Sequence, residues 1–402
     1  MRTVVDLLVV GAGPVGLALA LALKDSGLNI VLADARTREA VAADPRDLAL
    51  AHGSRLTLQR LGVWDAFPKT AIEHIHISQQ GGLGRTLIDA ADHDLPALGY
   101  VAAAGALAAA LRSAVDAAGI PVLDETEVTH LAPGADDVVA SLASAGTIAT
   151  TLHARLAACA EGGLRTGDAN IVEHDYRQHA LIAHVEADGG HRHTAFERFT
   201  GEGPVALLPR GDGYALVHVA RPDTADTLLA LDDAAYLARL QTHLGGRVRL
   251  TGVGPRLRYP LVLRYRRSAI GERTVWLGNA AQTLHPVAGQ GFNLALRDVW
   301  ALADILRQAN MAAPRADAAP ATTAPAGRLD PGAPALLQRY AASRELDRLG
   351  TIRFTDTLVR VFSNELAPLR HARGAALFAL DAVSPLRNFI ARRMMFGARA
   401  WP

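Results

Sequence analysis

The chain is poor in cysteine and lysine. Among its 402 residues Cys159 is the only cysteine, so no disulfide can form within the chain and a zinc site built on several cysteines is excluded. A single cysteine is typical of a reducing compartment, and we expect a cytoplasmic protein. Lys24 and Lys69 are the only lysines, so arginine supplies nearly all of the positive charge.

A large excess of charge of either sign is also missing. The 41 basic residues nearly balance the 40 acidic ones, which gives a net charge of +1. Proteins that coat nucleic acid usually carry a strong basic excess, so we expect no nucleic-acid partner. Half of the residues are hydrophobic, which permits a sizeable core and excludes wholesale disorder. The length allows two or three domains.

The longest uncharged run near the N-terminus is too short to cross a membrane. Residues 7–23 hold no charge, but these 17 residues fall below the ~20 that a membrane-spanning helix needs. Glycines at 11, 13 and 16 interrupt the run, and a secretory signal has no use for that spacing. We therefore predict a buried strand over 4–10 and a buried helix that ends near Gly27.

The glycines in this run have the G-x-G-x-x-G spacing. A second apolar strand is predicted over 29–33, which completes a β-α-β unit with Gly11, Gly13 and Gly16 at its first turn. Such a turn lets a pyrophosphate approach the backbone and the helix N-terminus, while Asp34 can accept hydrogen bonds from a ribose. The motif predicts nucleotide binding but does not distinguish FAD from NAD. The alternative is a glycine-rich helix entry that binds nothing.

A second glycine-rich segment begins at Gly278. It contains a strand end, a proline-containing loop with Gly289 and Gly291, and a helix that starts near Phe292. Its positive N-terminus suits the redox ring of a cofactor whose other end lies at the first turn. An ordinary glycine-rich loop followed by an amphipathic helix is the alternative.

Two distant stretches, 70–90 and 176–220, alternate between apolar and polar residues as antiparallel strands do. The second contains the hairpin signal Gly211-Asp-Gly213. We predict that both join one mixed sheet, which makes a second domain interleaved with the first.

The sequence resembles the FAD-dependent aromatic hydroxylases (group A flavoprotein monooxygenases), and within them the ubiquinone-biosynthesis branch. The resemblance rests first on Gly278-Asn-Ala-Ala-Gln-Thr-Leu-His-Pro286 and the residues up to Asp298. The other matching segments are 44–50, 61–64, 196–200 and 203–209, and near the C-terminus Tyr340, Arg344, Asp347, Thr355, Asp356 and 362–364.

We therefore predict an α/β fold with a Rossmann-like FAD-binding domain, an interleaved mixed β-sheet substrate domain and a helical C-terminal region. The FAD-binding domain is predicted at 1–69, 101–170 and 270–311, and the substrate domain at 70–100 and 171–269. A flexible Pro/Ala-rich loop is predicted at 312–334, and C-terminal helices at 335–402.

The resemblance also implies roles for individual residues. The cofactor-binding residues that it implies are Gly11, Gly13, Gly16, Asp34, Arg46, Glu161, Gly278, Asn279, Pro286, Gly289, Gly291 and Asn293. The first four bind the ADP half of FAD, and Pro286 and the last three line the flavin ring. For Arg46, the alternative to a cofactor-binding role is that of an ordinary surface arginine. His285 lies in the site loop, where a backbone role competes with catalysis. No metal is predicted, because the histidines lack a metal-binding spacing such as H-E-x-x-H.

The chemistry implied by the resemblance belongs to the cofactor. NAD(P)H reduces FAD, O2 adds to give a flavin C4a-hydroperoxide, and an oxygen atom passes to a polyprenylated phenol. A dry pocket protects that intermediate. No catalytic side chain is required to state this mechanism. A hydroxylase of a soluble aromatic compound is a second interpretation.

Three departures from the family pattern favour a further alternative, an impaired homologue that serves as a scaffold. Glu161-Gly162 replaces the usual Asp-Gly, and Arg165 is the nearest match to an arginine that normally follows. Ala102 to Ala104 stand where relatives carry polar residues.

The C-terminal segment 385–402 mixes arginine with large apolar residues and contains no acid. Such a segment can lie on an anionic membrane surface, and it can equally form a helix packed on the domain. The resemblance implies partners of two kinds, the inner face of the cytoplasmic membrane and a ubiquinone-biosynthesis complex.

Overall fold

The protein is described by a computed structural model, which covers residues 4–82, 84–144, 147–164, 168–312, 329–362 and 367–397. Most of the predicted Pro/Ala-rich loop, and also Arg165, lie outside the described residues. The described residues form three β-sheets and ten α-helices.

The strands run in this order: β1 Val4–Val10, β2 Ile30–Ala33, β3 Asp47–Ala51, β4 Thr70–Ile72, β5 His74–Gln79, β6 Arg85–Asp89, β7 Gly99–Ala103, β8 Val122–Leu123, β9 Thr126–Pro133, β10 Val138–Ser144, β11 Thr147–Cys159, β12 Ile171–Ala187, β13 Thr194–Phe199, β14 Pro204–Arg210, β15 Gly213–Ala220, β16 Leu250–Val253, β17 Leu257–Arg266, β18 Ile270–Gly271, β19 Thr274–Trp276 and β20 Gln282–Thr283.

The helices are α1 Pro14–Ala22, α2 Arg38–Ala42, α3 His52–Arg60, α4 Ala104–Ala117, α5 Pro222–Ala230, α6 Asp233–Leu244, α7 Gln290–Ala312, α8 Pro334–Phe362, α9 Ala367–Ala382 and α10 Ser384–Phe396.

The first sheet has a parallel centre. Its path is β18-β19-β11-β1-β2-β8, and β1 pairs in parallel with both β2 and β11. Six of the seven residues of β1 are buried, as expected for a parallel strand covered on both faces. The antiparallel strands β9 and β10 extend from β11. The predicted β-α-β unit is thus present.

Helix α1 is buried all round, and it ends earlier than predicted. It stops at Ala22, and a turn leads to Gly27, whose φ of +73° ends the segment. Leu17, Leu19 and Leu23 are fully buried against α4 and α7. Burial of each such side chain contributes roughly 1.5–3 kcal/mol, so packing rather than an amphipathic face holds this helix.

The second sheet has nine strands along β20-β17-β12-β15-β14-β13-β5-β6, with β16 paired to β12. Here the two distant alternating stretches meet, because β13 pairs in parallel with β5, with Ala195 opposite Ile75 and Glu197 opposite Ile77. The predicted hairpin after Gly211 joins β14 to β15. The expected interleaved mixed sheet is confirmed.

A small sheet, β3-β7-β4, lies beside the helices of the first sheet. Among the C-terminal helices, α10 contacts α3, α9 contacts β6 and α8 contacts α7. A buried ion-pair network links α8 to α7. In it, Arg344 bonds Asp298 and Asp347, with donor–acceptor distances of 2.6 Å for each. Among the described residues no helix combines the length and apolar character needed to cross a bilayer.

Candidate functional site

The predicted site residues gather at one edge of the first sheet. The parallel strands β1, β2 and β11 end just before Gly11, Asp34 and Glu161, and β19 ends just before Gly278. Carboxyl ends of parallel strands form the usual ligand crevice of such sheets. Two glycine-rich turns meet there, the first turn at residues 11–16 and the second turn at residues 278–293.

The first turn is set by backbone contacts. A Cβ atom on Gly16 would lie 1.9 Å from the carbonyl oxygen of Gly11, and one on Gly11 would lie 2.8 Å from the backbone nitrogen of Glu161. Gly13 is different, since its nearest neighbour would be the guanidinium of Arg36 at 3.6 Å. No side chain caps the N-terminus of α1, so its N–H groups are available to an anion.

Four N–H groups donate to the Asp34 carboxylate. Its carboxylate accepts from the backbone N–H of Ala12 at 2.7 Å and from the backbone and side chain of Arg36 at 2.9–3.0 Å. Burial alone would raise the pKa of Asp34, but the hydrogen bonds from Arg36 outweigh it and hold this pKa below its ordinary value. Arg36 is half-exposed and was not singled out from the sequence.

A pocket of about 330 Å³ adjoins the first turn and is lined by residues from β2, β9 and the loop after β11. Gly11, Asp34, Arg36, Val128 and Gly162 are among the lining residues. The pocket combines space, a carboxylate, an uncapped helix N-terminus and a nearby guanidinium. These features fit the ADP half of a dinucleotide such as FAD.

The positions that depart from the family pattern are buried or close to the backbone of the first turn. Ala102 and Ala104 are buried, and the Ala104 N–H donates to the carbonyl of Arg46 at 2.8 Å. Glu161 lies at the pocket edge with its backbone against Gly11. Neither change blocks the pocket.

Arg46 lies just before β3. Its half-exposed guanidinium pairs with Asp44 at 2.6 Å. The hydrogen bond to Asp44 raises the pKa of Arg46 and keeps it charged. Since Ala49 of β3 lies against Gly289, Arg46 is carried on the strand that borders the second turn.

The second turn begins beside the first. A Cβ on Gly278, whose φ is +57°, would lie 3.1 Å from the side chain of Val15 in α1. Asn279 is half-buried in the short 3-10 helix Gly278–Ala280. Residues more than 260 positions apart thus share one crevice, as a cofactor with two ends requires.

Long-range hydrogen bonds hold the far end of the second turn. Buried Asn293 accepts from the Ala51 N–H at 2.8 Å and from the Ser54 hydroxyl at 2.6 Å, and donates to the carbonyls of Ala49 and Gly289. Its side chain therefore positions the turn on β3. Two other predicted site residues have open surroundings. Pro286 is exposed, and a Cβ on Gly291 would meet open space.

His285 is buried against Tyr176. Its Nδ1 atom accepts from the Val287 N–H at 3.1 Å, and its ring meets Tyr176 edge-on at 5.4 Å. Burial lowers the pKa of His285 to about 4, so the imidazole is neutral at physiological pH. Tyr176 in turn donates to Asp356 of α8 at 2.9 Å. These contacts give His285 a positioning role in the loop.

An apolar cavity of about 100 Å³ lies next to Gly289 and Gln290. Strands β3 to β7 supply one wall and helix α10 another. Its apolar lining residues are Ala49, Leu50, Ala51, Ile72, Ile75, Ile88, Leu98, Ala391, Met394 and Met395. The family resemblance implies a dry pocket, but no motif in the sequence assigned these side chains to it.

Glu197 is a further titratable group near the site, and the sequence pattern assigned it no role. Alternation along β13 places it on the same sheet face as Ala195 and Phe199. Phe199 packs against Val287 of the second turn, so this face meets the site. Burial raises the pKa of Glu197 to about 7. The signal in the sequence was its place in segment 196–200, one of the segments that match the family.

Solved structures support this architecture. The p-nitrophenol 4-monooxygenase PnpA of Pseudomonas putida superposes with a TM-score of 0.76 at 18% identity, covering 99% of this chain and 100% of that one. PqsL of Pseudomonas aeruginosa gives 0.71 at 19% identity, covering 93% and 100%. Both likenesses concern the fold.

Sequence relatives are more similar. Ubiquinone hydroxylase UbiL of Rhodospirillum rubrum is 33% identical, covering 98% of this chain and 90% of the relative. The 3-demethoxyubiquinol 3-hydroxylase of Escherichia coli is 28% identical, covering 95% and 96%.

Together, fold, site and relatives define an FAD-dependent monooxygenase of the aromatic hydroxylase class. The family described as FAD binding domain matches residues 4–316, and the chain belongs to it. When bound, FAD supplies the redox chemistry and the activation of oxygen.

Proposed function

We propose that this enzyme hydroxylates a polyprenylated phenol in ubiquinone biosynthesis, with NAD(P)H as electron donor and O2 as oxygen source. The sequence motifs most resemble 2-polyprenyl-6-methoxyphenol hydroxylase, and the relatives carry the names of ubiquinone hydroxylases. The ring carbon and prenyl length are left open.

The observation that carries the proposal is the apolar cavity beside the second turn. Its wall is almost entirely aliphatic, with Met394 and Met395 of α10 facing Ile72, Ile75 and Ile88 across it. Such a lining binds a ring with an isoprenoid substituent through burial of apolar surface. It also excludes water from the reacting ring.

Glu197 is proposed to accept the proton of the phenol hydroxyl. A carboxyl whose pKa is raised to about 7 by burial is partly ionised at neutral pH, which suits a general base. A phenolate is a more electron-rich ring than the phenol. In Glu197→Gln the acceptor is lost while the shape is kept, so kcat falls and its rise with pH near 7 disappears, whereas the flavin content is unchanged.

The surface of α9 and α10 supports attachment to an anionic membrane. Phe378, Val383, Leu386 and Phe389 are all exposed, with Phe378 67% and Phe389 61% accessible, and Arg392 is exposed beside them. Opposite faces of α10 thus carry this patch and the cavity wall. A lipid-dissolved substrate could pass from the bilayer to the cavity along one helix.

The test uses the flavin-loaded protein with a prenylated phenol, NADH or NADPH, and anionic vesicles. We expect hydroxylated product, with consumption of the electron donor coupled to it. We also expect the protein to sediment with the vesicles, and the double variant Phe378→Ser, Phe389→Ser to lose this sedimentation. Leu346→Ser, at an exposed position of α8 outside the patch, is the matched control. Turnover of short phenols with no response to vesicles would instead support a hydroxylase of soluble aromatics.

The presence of bound FAD distinguishes the enzyme from the scaffold interpretation. Purified protein that shows no flavin spectrum even after FAD is added would contradict the enzyme and support the scaffold. So would a Gly13→Ala variant that has lost its flavin and still supports ubiquinone synthesis in cells.

A further inference from the structure

The nine-stranded sheet has a second face, turned away from the flavin site and covered by α5 and α6. On this face Glu202 of the β13–β14 loop, His218 of β15 and His243 of α6 come together. One nitrogen or oxygen atom from each lies within 4.8 Å of the others. The Glu202 Oε2 and His243 Nε2 atoms are 3.1 Å apart.

Gln80 fixes the orientation of His243. The His243 Nδ1 atom lies 3.1 Å from Gln80 Oε1, while the Gln80 amide nitrogen donates to the Thr242 carbonyl at 3.3 Å. The amide oxygen must therefore accept from Nδ1–H, and a neutral ring then presents the lone pair of Nε2 toward the Glu202 carboxylate. Two acceptor atoms in contact repel each other unless a cation or proton lies between them.

His218 supplies an independent observation. Its side chain is fully buried, with 0% exposed surface, and its Nε2 atom has no hydrogen-bond partner among the described residues. Its Nδ1 atom lies 3.3 Å from the Tyr236 hydroxyl. An Nδ1–H group that donates to this hydroxyl leaves Nε2 as a lone pair, the arrangement typical of metal-ligating histidines.

We propose that Glu202, His218 and His243 bind Zn2+ through one carboxylate oxygen and two imidazole nitrogens. Two imidazoles, one carboxylate and a water are a common zinc donor set. Arg239 pairs with the other oxygen of Glu202, so the carboxylate binds the ion through one atom. The ion fastens α6 and the β13–β14 loop to the sheet and takes no part in hydroxylation.

Titration of the metal-stripped, flavin-loaded protein with Zn2+ alone tests the proposal. We expect one ion per chain by calorimetry and a higher unfolding temperature. Glu202→Gln and His243→Gln should each weaken binding by at least about tenfold, and Gln80→Ala by about tenfold through loss of the orienting acceptor. His130→Gln, on an exposed position of β9, should bind as the wild type does.

Flavin content and circular dichroism establish that each variant is folded. His218 is too deeply buried for its variant to decide the question. Co2+ provides the second readout, because a four-coordinate site gives it visible absorption bands that Glu202→Gln would remove. Failure of the wild type to bind one Zn2+, or equal binding in wild type and Glu202→Gln, would overturn the proposal and leave an ordinary histidine–glutamate ion pair.

Discussion

The first and second turns line the same crevice but are held by different forces. Backbone contacts shape the first turn: Gly16 touches the carbonyl of Gly11, and Gly11 lies against the backbone of Glu161. Side chains of the second turn reach three other segments and hold it in place: Asn293 bonds β3, Gln290 bonds the Met394 carbonyl of α10, and His285 meets Tyr176 of β12. A local turn can be recognised from a short motif, whereas a turn held by distant partners depends on the whole fold.

The largest expected effect concerns the first turn. In Gly16→Ala the new Cβ would lie 1.9 Å from the Gly11 carbonyl oxygen, so the backbone must move, which costs about 3 kcal/mol or more. We expect poor expression and no bound flavin, measured by denaturant unfolding and absorption.

Gly13→Ala is the matched control for this prediction. Gly13 has a φ of −75°, which alanine adopts readily, and its Cβ would meet only the tip of Arg36. We expect a stable fold with weaker FAD binding, since the methyl group faces the approaching pyrophosphate. Equal stability losses in the two variants would contradict a turn shaped by backbone contact at Gly16.

Asn293→Ala should have the next largest effect. It leaves the Ala51 N–H and the Ala49 and Gly289 carbonyls without their partner, and an unsatisfied buried group costs about 1–3 kcal/mol. We expect a loss of about 3 kcal/mol in the free energy of unfolding, together with weaker flavin binding. Gly291→Ala, whose Cβ meets open space, should leave the free energy of unfolding unchanged.

As pH falls, the second turn should lose stability before the first. The pKa of His285 is lowered to about 4 by burial, whereas an unfolded histidine titrates near 6.5. The unfolded chain therefore binds the proton first, so the stability from neutral His285 is complete above about pH 6.5 and is lost as pH falls toward 4. At pH 5 the loss is about 2 kcal/mol.

His285→Asn tests this dependence, because the asparagine oxygen can still accept from the Val287 N–H. Other buried histidines titrate as well, so the difference between wild type and variant is measured from pH 8 to 4.5. A difference that does not change with pH would contradict the prediction. Asp34 also has a lowered pKa, but its contribution is lost only at still lower pH.

The smallest expected effect is that of Asp34→Asn. The amide oxygen can still accept from Ala12, and the half-exposed Arg36 remains solvated, so unfolding free energy should change by less than about 1 kcal/mol. FAD affinity should fall by about tenfold through the weakened ribose contact. A large loss of stability would show that side chains support the first turn after all.

Regular elements with a strong local pattern were predicted closely. Strand β1 begins and ends at the predicted residues, and β5 and β15 lie within the two stretches predicted to alternate. The end of α1 was misplaced, because the apolar residues up to Leu23 pack on the core in a turn as well as they would in a helix. The site residues stay predictions, although the structure brings the first and second turns into contact where Gly278 meets Val15.

The sequence by itself determined the elements whose causes are local: the buried parallel strands, the backbone-shaped first turn and the alternation of the second sheet. Only the tertiary structure decided which distant groups meet. The apolar cavity and the Glu202–His218–His243 cluster consist of residues far apart in the chain. Glu197 likewise lies far in the chain from the second turn near which it is placed. Because strand pairing and helix packing bring such residues together, no fixed spacing in the sequence records their contact.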